Sequence, residues 1–343
     1  MLQKRRSVFL LTVLAVVVVL AFAMFAVACT PASDQDDTST EDDTWVKNDG
    51  LTYKKNDDGT YQFYKCTDDL TSVTILAEVN GKAVTSIAVQ AFYECYDLES
   101  VVIPDSVTEI GNEAFYSCIG LKEVVIPDAV TTIKSSAFWH CEGLVRVTLG
   151  ENLQSIGDSA FAGCFRLVEI VNKSSISLTA GSTNNGYAAY YARNIIDDVA
   201  DTKIAVEGDY TLYDESVILT YTGSDSSLTI AEGITEIGSY AFANCTSLES
   251  VVLPESIEKI NAGAFRNTGL TSITFPENLK YIGVAAFEYC SSLESATFMN
   301  KNGWYCKNDN GESPLPASMW PTDDYVAKMW LVSNAHNDEY IRK

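Results

Sequence analysis

The sequence predicts an α/β repeat fold: a solenoid of short parallel strands and helical turns, in two blocks with β-hairpin caps. Three observations predict it. The dipeptide Ala-Phe recurs at Phe92, Phe115, Phe138 and Phe161, always 23 residues apart, and again at Phe242, Phe265 and Phe287. Other columns keep that register. Ile precedes each Phe by five residues, as at Ile110, Ile133 and Ile260, and Leu follows by six, as at Leu121, Leu144 and Leu248. Leu270 comes one residue early, which shortens the last spacing to 22. Each Leu then leads into an alternating, β-branched stretch such as Val101 to Ile103, closed by Pro104. That pattern reads as a short strand, since Pro cannot donate to a ladder. A fixed period in this range marks stacked units, each too small to bury a core alone. The Ala-Phe stretch is assigned to the helical turn.

Composition sets the outer limits. The chain has 343 residues, 46 acidic and 23 basic, for a formal charge of −23. Its 47% hydrophobic content argues against a disordered acidic polymer. The acidity argues against nucleic acid as a partner, because phosphates would be repelled.

Residues 1–28 begin with Lys4, Arg5 and Arg6, then run apolar from Val8 to Ala28, broken by Thr12. A charged start and a greasy middle are the form of an export signal peptide. At about 20 residues the run also reaches the length of a membrane span. It ends Ala26, Val27, Ala28, Cys29. This resembles the lipobox of bacterial lipoproteins, in which the Cys is lipidated and becomes the new N-terminus. The resemblance implies a lipid anchor on Cys29, and contact with the membrane only through it. An uncleaved transmembrane anchor and plain secretion are the alternatives. All three place the remainder outside the cytoplasm. Residues 1–28 carry three bases and no acid, so their removal would leave a charge of −26. Residues 29–44 hold six acids, no base and almost nothing apolar. They are expected to be a disordered spacer.

In residues 45–83, apolar stretches at Leu51–Tyr53 and Tyr61–Tyr64 flank Asn56–Gly59, a hairpin signal. Four repeats fill 84–172. Residues 173–209 form a connector. Gly181–Gly186 reads as a loop, and the spacing of Tyr187, Tyr190, Tyr191 and Ile195 predicts a short amphipathic helix. A second hairpin, Tyr210–Leu212 with Val217–Tyr221, is expected in 210–233. Three repeats fill 234–299. The last segment, 300–343, is expected to cap the solenoid with a hairpin around Trp304 and Gly311 and a helix over 323–332. Trp304, Trp320 and Trp330 would cover the last repeat, with a carbohydrate platform as the sharper alternative.

The columns exemplified by Ile110, Gly111, Ala114, Phe115, Cys118, Leu121, Val124, Ile126 and Pro127 resemble the BspA-like leucine-rich repeat family of bacterial surface proteins. The resemblance covers 84–172 and 234–298. It implies a leucine-rich-repeat solenoid with a curved parallel sheet, and a surface or secreted role in binding or adhesion.

Six repeats carry Cys three residues after the Phe: Cys95, Cys118, Cys141, Cys164, Cys245 and Cys290. Equivalent residues on stacked turns lie about 5 Å apart along a line. Zinc needs four ligands converging on a point. The column therefore reads as buried thiols. His140 adjoins Cys141, but neighbours in sequence point apart, whereas nucleophilic catalysis needs the pair facing in a cleft. No phosphate loop, dinucleotide fingerprint, nucleophile elbow or zincin helix is present. No catalytic residue, cofactor or metal site is expected.

The candidate partner-binding residues lie between the core positions of the strands. One row is Val102, Val125, Thr148 and Val171. Its neighbour is Ser100, Glu123, Arg146 and Glu169. An apolar stripe with a polar rim marks an interaction surface, although β-branched residues are also simply good strand formers. The expected partner is an extracellular protein or matrix component. The alternative is a glycan, held by aromatics such as Tyr187, Tyr190 and Tyr191.

Overall fold

In the computed structural model, residues 44–67, 69–300, 304–308, 311–314 and 339–342 are described. Two sets of parallel strands carry the repeat. In block one the longer set begins with Ser72–Thr74, which pairs with Ser100–Val102. Glu123–Val125, Arg146–Leu149, Glu169–Asn172 and Asn194–Ile196 then form a four-stranded parallel sheet. The shorter set, Glu109–Ile110, Thr132–Ile133 and Ser155–Ile156, stacks in parallel onto Lys82–Ile87. The registers follow the sequence columns. Val147 lies between Val124 and Ile170, and Ile133 between Ile110 and Ile156.

The expected helical turns are absent. Among the described residues the one helical element is a short 3-10 turn, Val199–Asp201, capped by the Asp198 carboxylate. The Ala-Phe stretches are irregular turns, and their backbone dihedrals explain why. Each Phe is flanked two residues before and two after by a left-handed residue. Around Phe115 these are Glu113 and Ser117, and around Phe138 they are Ser136 and His140. L-residues resist that conformation, and no α-helix passes through it. Amide hydrogen bonds alternate: those of Ala114, Tyr116 and Cys118 stay within the turn, to the carbonyls of Gly111, Glu113 and Phe115, and those between them run outward. The N–H groups of Glu113, Phe115 and Ser117 donate to the carbonyls of Ser135, Ala137 and Trp139 in the next repeat. Backbone groups must be paired somewhere, and here the neighbouring repeat supplies the partners. Gly163 and Gly263 fall on these left-handed positions, where a missing Cβ removes the strain.

The core is a stack of identical side chains. Phe92, Phe115, Phe138 and Phe161 are fully buried, with successive ring centroids 4.6, 4.9 and 5.1 Å apart and nearly parallel. Phe242, Phe265 and Phe287 repeat this at 5.0 and 5.3 Å. The spacing is that of neighbouring strands, so the backbone ladder sets the ring stack.

Each block opens on an antiparallel meander of three strands. In the first, Trp45–Asn48, Leu51–Lys55 and Tyr61–Cys66 pair in order, and the third strand hands on to Lys82–Ile87 in parallel. In the second, Ile204–Glu207, Tyr210–Tyr213 and Val217–Tyr221 do the same, handing on to Glu236–Ile237. Phe63 in the first and Tyr221 in the second extend the Phe stacks, 4.7 and 5.2 Å from Phe92 and Phe242. At the far end, Glu339–Arg342 pairs antiparallel with Tyr281–Ile282 and with Trp304–Asn308, which pairs with Gly311–Pro314. The helix expected over 323–332, with Trp320 and Trp330, lies outside the described residues. So do residues 1–43, including the apolar run and Cys29.

The connector helix is also corrected. Residues 187–190 are turns, 191–193 are irregular, and Asn194–Ile196 is a strand. Ala188, Ala189 and Ala192 are buried against the fourth repeat. The amide of Phe161 donates to Gly186, as the other Phe amides donate to their next repeat. The segment is therefore a further, irregular rung, packed on the fourth repeat through three alanines.

Among the described residues no ladder crosses between the blocks, although both lie within one compact unit, Asp43–Lys343. Side chains join them. Val145 and Val168 form a small core with Tyr213, Val217 and Leu219 of the second meander. Phe165 stacks on Tyr240 at 5.4 Å. The Arg166 guanidinium donates to the Ser239 carbonyl at 3.0 Å and also to the Tyr240 carbonyl. Burial lowers the pKa of Arg166 to about 10. Arg193 makes a two-pronged ion pair with Glu236, whose carboxylate also accepts from Asn261.

Candidate interaction surface

The strands of block one place the eight candidate residues along a single face, but only part of it is open. Val102 and Val125 are 43% and 60% exposed and lie on successive rungs. Beside them Ser100 is exposed, its hydroxyl 2.8 Å from that of Ser72. Glu123 is half-exposed and accepts from Arg146 Nη2 at 2.8 Å. The Arg146 side chain is only 13% exposed, and Thr148 is half-buried.

Glu169 and Val171 are corrections. Both were expected to face outward, and both are fully buried. The segment 194–204 folds over the last rung. Ile196 pairs in register with Val171. The Glu169 carboxylate accepts from Asn194 Nδ2 and the Lys203 N–H, both at 3.1 Å, and from the Thr202 hydroxyl. A buried carboxylate needs such donors, and here they fasten the connector to the block. The open strip instead extends the other way, through the strand Ser72–Thr74, where Thr74 precedes Val102 in the row. The likeness of Ser72, Val73 and Thr74 to Ser100, Val101 and Val102 was the available signal.

The cysteine column is buried except at the half-buried Cys245, and four of its members pack on backbone carbonyls. Cys118, Cys141 and Cys164 each donate to the carbonyl of the Phe one repeat earlier, at 3.0 to 3.1 Å, and Cys290 does so at 2.9 Å. Burial and the neighbouring thiols push the Cys141 pKa well above its ordinary value. Among the described residues no cluster of His, Cys, Asp or Glu could hold a metal ion. His140 and Cys141 do not form a pair. His140 Nδ1 lies 3.2 Å from Glu142, while Cys141 binds the Phe115 carbonyl. Tyr187, Tyr190 and Tyr191 pack edge to face on one another, and Tyr191 also packs on Phe165. Of the three, only Tyr190 is well exposed.

A parallel-strand solenoid with buried Phe, Leu and Cys columns defines the class as a repeat scaffold. The sequence profile of BspA type leucine rich repeat regions matches residues 58–185 and 217–306, in six copies. That is over half of the chain, and the chain belongs to this family. It is similar to a leucine-rich repeat protein of T. pallidum, at 24% identity over 72% of this chain and 90% of that one, with a TM-score of 0.35. A leucine-rich repeat protein of Bacteroides capillosus is 28% identical over 38% of this chain and 98% of its own, with a TM-score of 0.35. A leucine rich cell surface protein of Faecalibacterium prausnitzii is 21% identical over 77% and 97%, with a TM-score of 0.31. No curated protein matches the chain. Among the described residues no helix is long and apolar enough to cross a membrane.

Proposed function

We propose that this protein is a non-catalytic cell-surface module that binds an extracellular protein or matrix component through the open strip of block one. The observation that carries the reading is the exposure of Val102 and Val125 on adjacent rungs, bordered by Ser100 and the Glu123–Arg146 pair. Exposed apolar side chains on a rigid sheet, with a polar border, have the anatomy of an interface centre. Membership of a family of surface-type repeat proteins supports the location, as does the export-like N-terminus ending in Cys29. On this reading the lipid on Cys29 is the membrane attachment. A mass spectrum of the mature N-terminus tests that part, and an intact Met1 or an unmodified Cys29 overturns it.

The strip is tested by replacing Val102 and Val125 with Glu and measuring adhesion to surfaces coated with matrix proteins. Charges at an interface centre should weaken binding by about tenfold or more. Unchanged affinity in a folded double variant refutes the placement. The glycan reading rests on Tyr190, the exposed member of its tyrosine cluster. A rise in melting temperature with added sugars, lost in Tyr190→Ala, would favour it.

A further inference from the structure

Cys66 stands three residues after Phe63, so the cap strand carries the Phe-x-x-Cys spacing of the repeats. Phe63 takes its place in the Phe stack. Cys66 differs from the column in its backbone. It ends the extended strand Tyr61–Cys66, whereas Cys95 lies in a turn. Stacked copies on identical turns point the same way and suit a bridge poorly. These two approach from unlike backbones, and their sulfurs meet at 3.5 Å, both buried. A disulfide bond is about 2.05 Å long, so closure needs a sulfur movement of about 1.5 Å, within reach of side-chain rotation.

We propose that Cys66 and Cys95 are a disulfide pair that closes while the N-terminal cap docks on the first repeat. The oxidant is an external disulfide, carried by a small thiol or an exchange enzyme. One cysteine, having lost its proton to solvent, attacks the external disulfide and expels one thiolate. The second cysteine, likewise deprotonated, attacks the mixed disulfide and expels the other. The oxidant takes up two electrons and leaves as two thiols, which carry both protons. In the folded protein the Cys95 thiol and burial push the Cys66 pKa up, which removes the thiolate needed for attack. Closure therefore belongs to folding, before the cap shuts. The bridge would join positions 29 residues apart and staple the open end of the solenoid, where fraying begins.

The test is to refold reduced protein in a mixture of glutathione and its disulfide, then alkylate, digest and map the peptides. The expected result is a peptide pair linked through Cys66 and Cys95, and an intact mass lower by about 2 Da. The melting temperature should exceed that of Cys66→Ser by on the order of 5 °C, and added reductant should abolish the difference. Cys118→Ala should keep the link. Adding the oxidant only after folding should give far slower closure. Alkylation of both Cys66 and Cys95 after refolding overturns the proposal, as does a link from Cys95 to Cys118. The mapping needs no variant, so a substitution that fails to fold leaves the result readable.

Discussion

Replacing Val145 and Val168 with Lys should uncouple the two blocks without harming the repeats themselves. Both residues follow the repeat Leu. In the first two repeats that position is Glu99 and Lys122, exposed and ion-paired at 2.8 Å. A repeat therefore tolerates Lys there. Val145 and Val168 are 4% and 5% exposed only because Tyr213, Val217 and Leu219 of the second meander cover them. Each buried Val is worth about 2 kcal/mol by area, so the pair supplies about 4 kcal/mol of docking. The introduced ammonium groups add a desolvation cost wherever they cannot reach water. The assay is amide exchange with calorimetry. Amides of Ile204–Glu207 and Val217–Tyr221 should exchange faster, while those of Ser100–Val102 and Glu123–Val125 keep their protection. Calorimetry should show two transitions, against a single one expected of the native chain. Unaltered exchange in the second meander, with one transition of unchanged midpoint, would refute the reasoning. In that outcome Arg166 and the Arg193–Glu236 pair carry the junction.

Three further outcomes follow from the geometry. Phe115→Ala removes a ring stacked on both faces and should cost about 3–5 kcal/mol, with exchange rising most in the flanking repeats; a loss under about 1 kcal/mol would mean the stack is not the core. In denaturant-free thiol titration Cys245, the half-buried member, should react first, with Cys118, Cys141 and Cys164 protected until unfolding; equal rates would contradict the column packing. Burial pushes the hydroxyls of Tyr191 and Tyr221 up to about 12, and Tyr221 also donates to Asp225. An unfolded Tyr ionises near about 10, so this stabilisation is complete below that pH and is lost as the pH rises toward 12. Tyr221→Phe should flatten the alkaline loss of stability measured by thermal unfolding, and an unchanged slope would dismiss its role.

The columns were legible because repetition averages away local noise. Seven copies agreeing at Ile, Phe and Leu fix both the stacking direction and the register. The turns were misread because the left-handed residues are not one residue type. Glu113, Ser117, Ser136 and His140 share a dihedral and no side-chain chemistry. Tyr187 to Ile196 looked helical for a related reason. Its apolar spacing fits a helix face, but its three buried alanines fit a rung laid closely on the fourth repeat. Glu169 gave no signal, since Glu123 stands in the same row and is exposed. Its burial comes from residues 25 to 34 positions later, which a column reading does not see. The junction was readable in principle. The change from Glu99 and Lys122 to Val145 and Val168 in an otherwise solvent-facing column is the trace of the second block.

The closure at Glu169 bears on the size of any partner that uses the strip. Rungs lie about 4.8 Å apart. The open rungs run from Ser72–Thr74 through Ser100–Val102 to Glu123–Val125, with the half-buried Arg146 and Thr148 closing the far end, and the strip is thus about 10 Å long. No ladder continues it into block two, whose equivalent row is Val252, Thr274 and Thr297, one exposed Val among threonines. A standard interface buries about 800 Å² per partner, more than such a strip offers. The strip therefore suits an extended segment or a short helix better than a broad globular face. A globular partner would have to reach beyond it, and substitutions at Val252 would then matter as well. Adhesion that falls with Val125→Glu and is indifferent to Val252→Glu would mark a small epitope confined to block one.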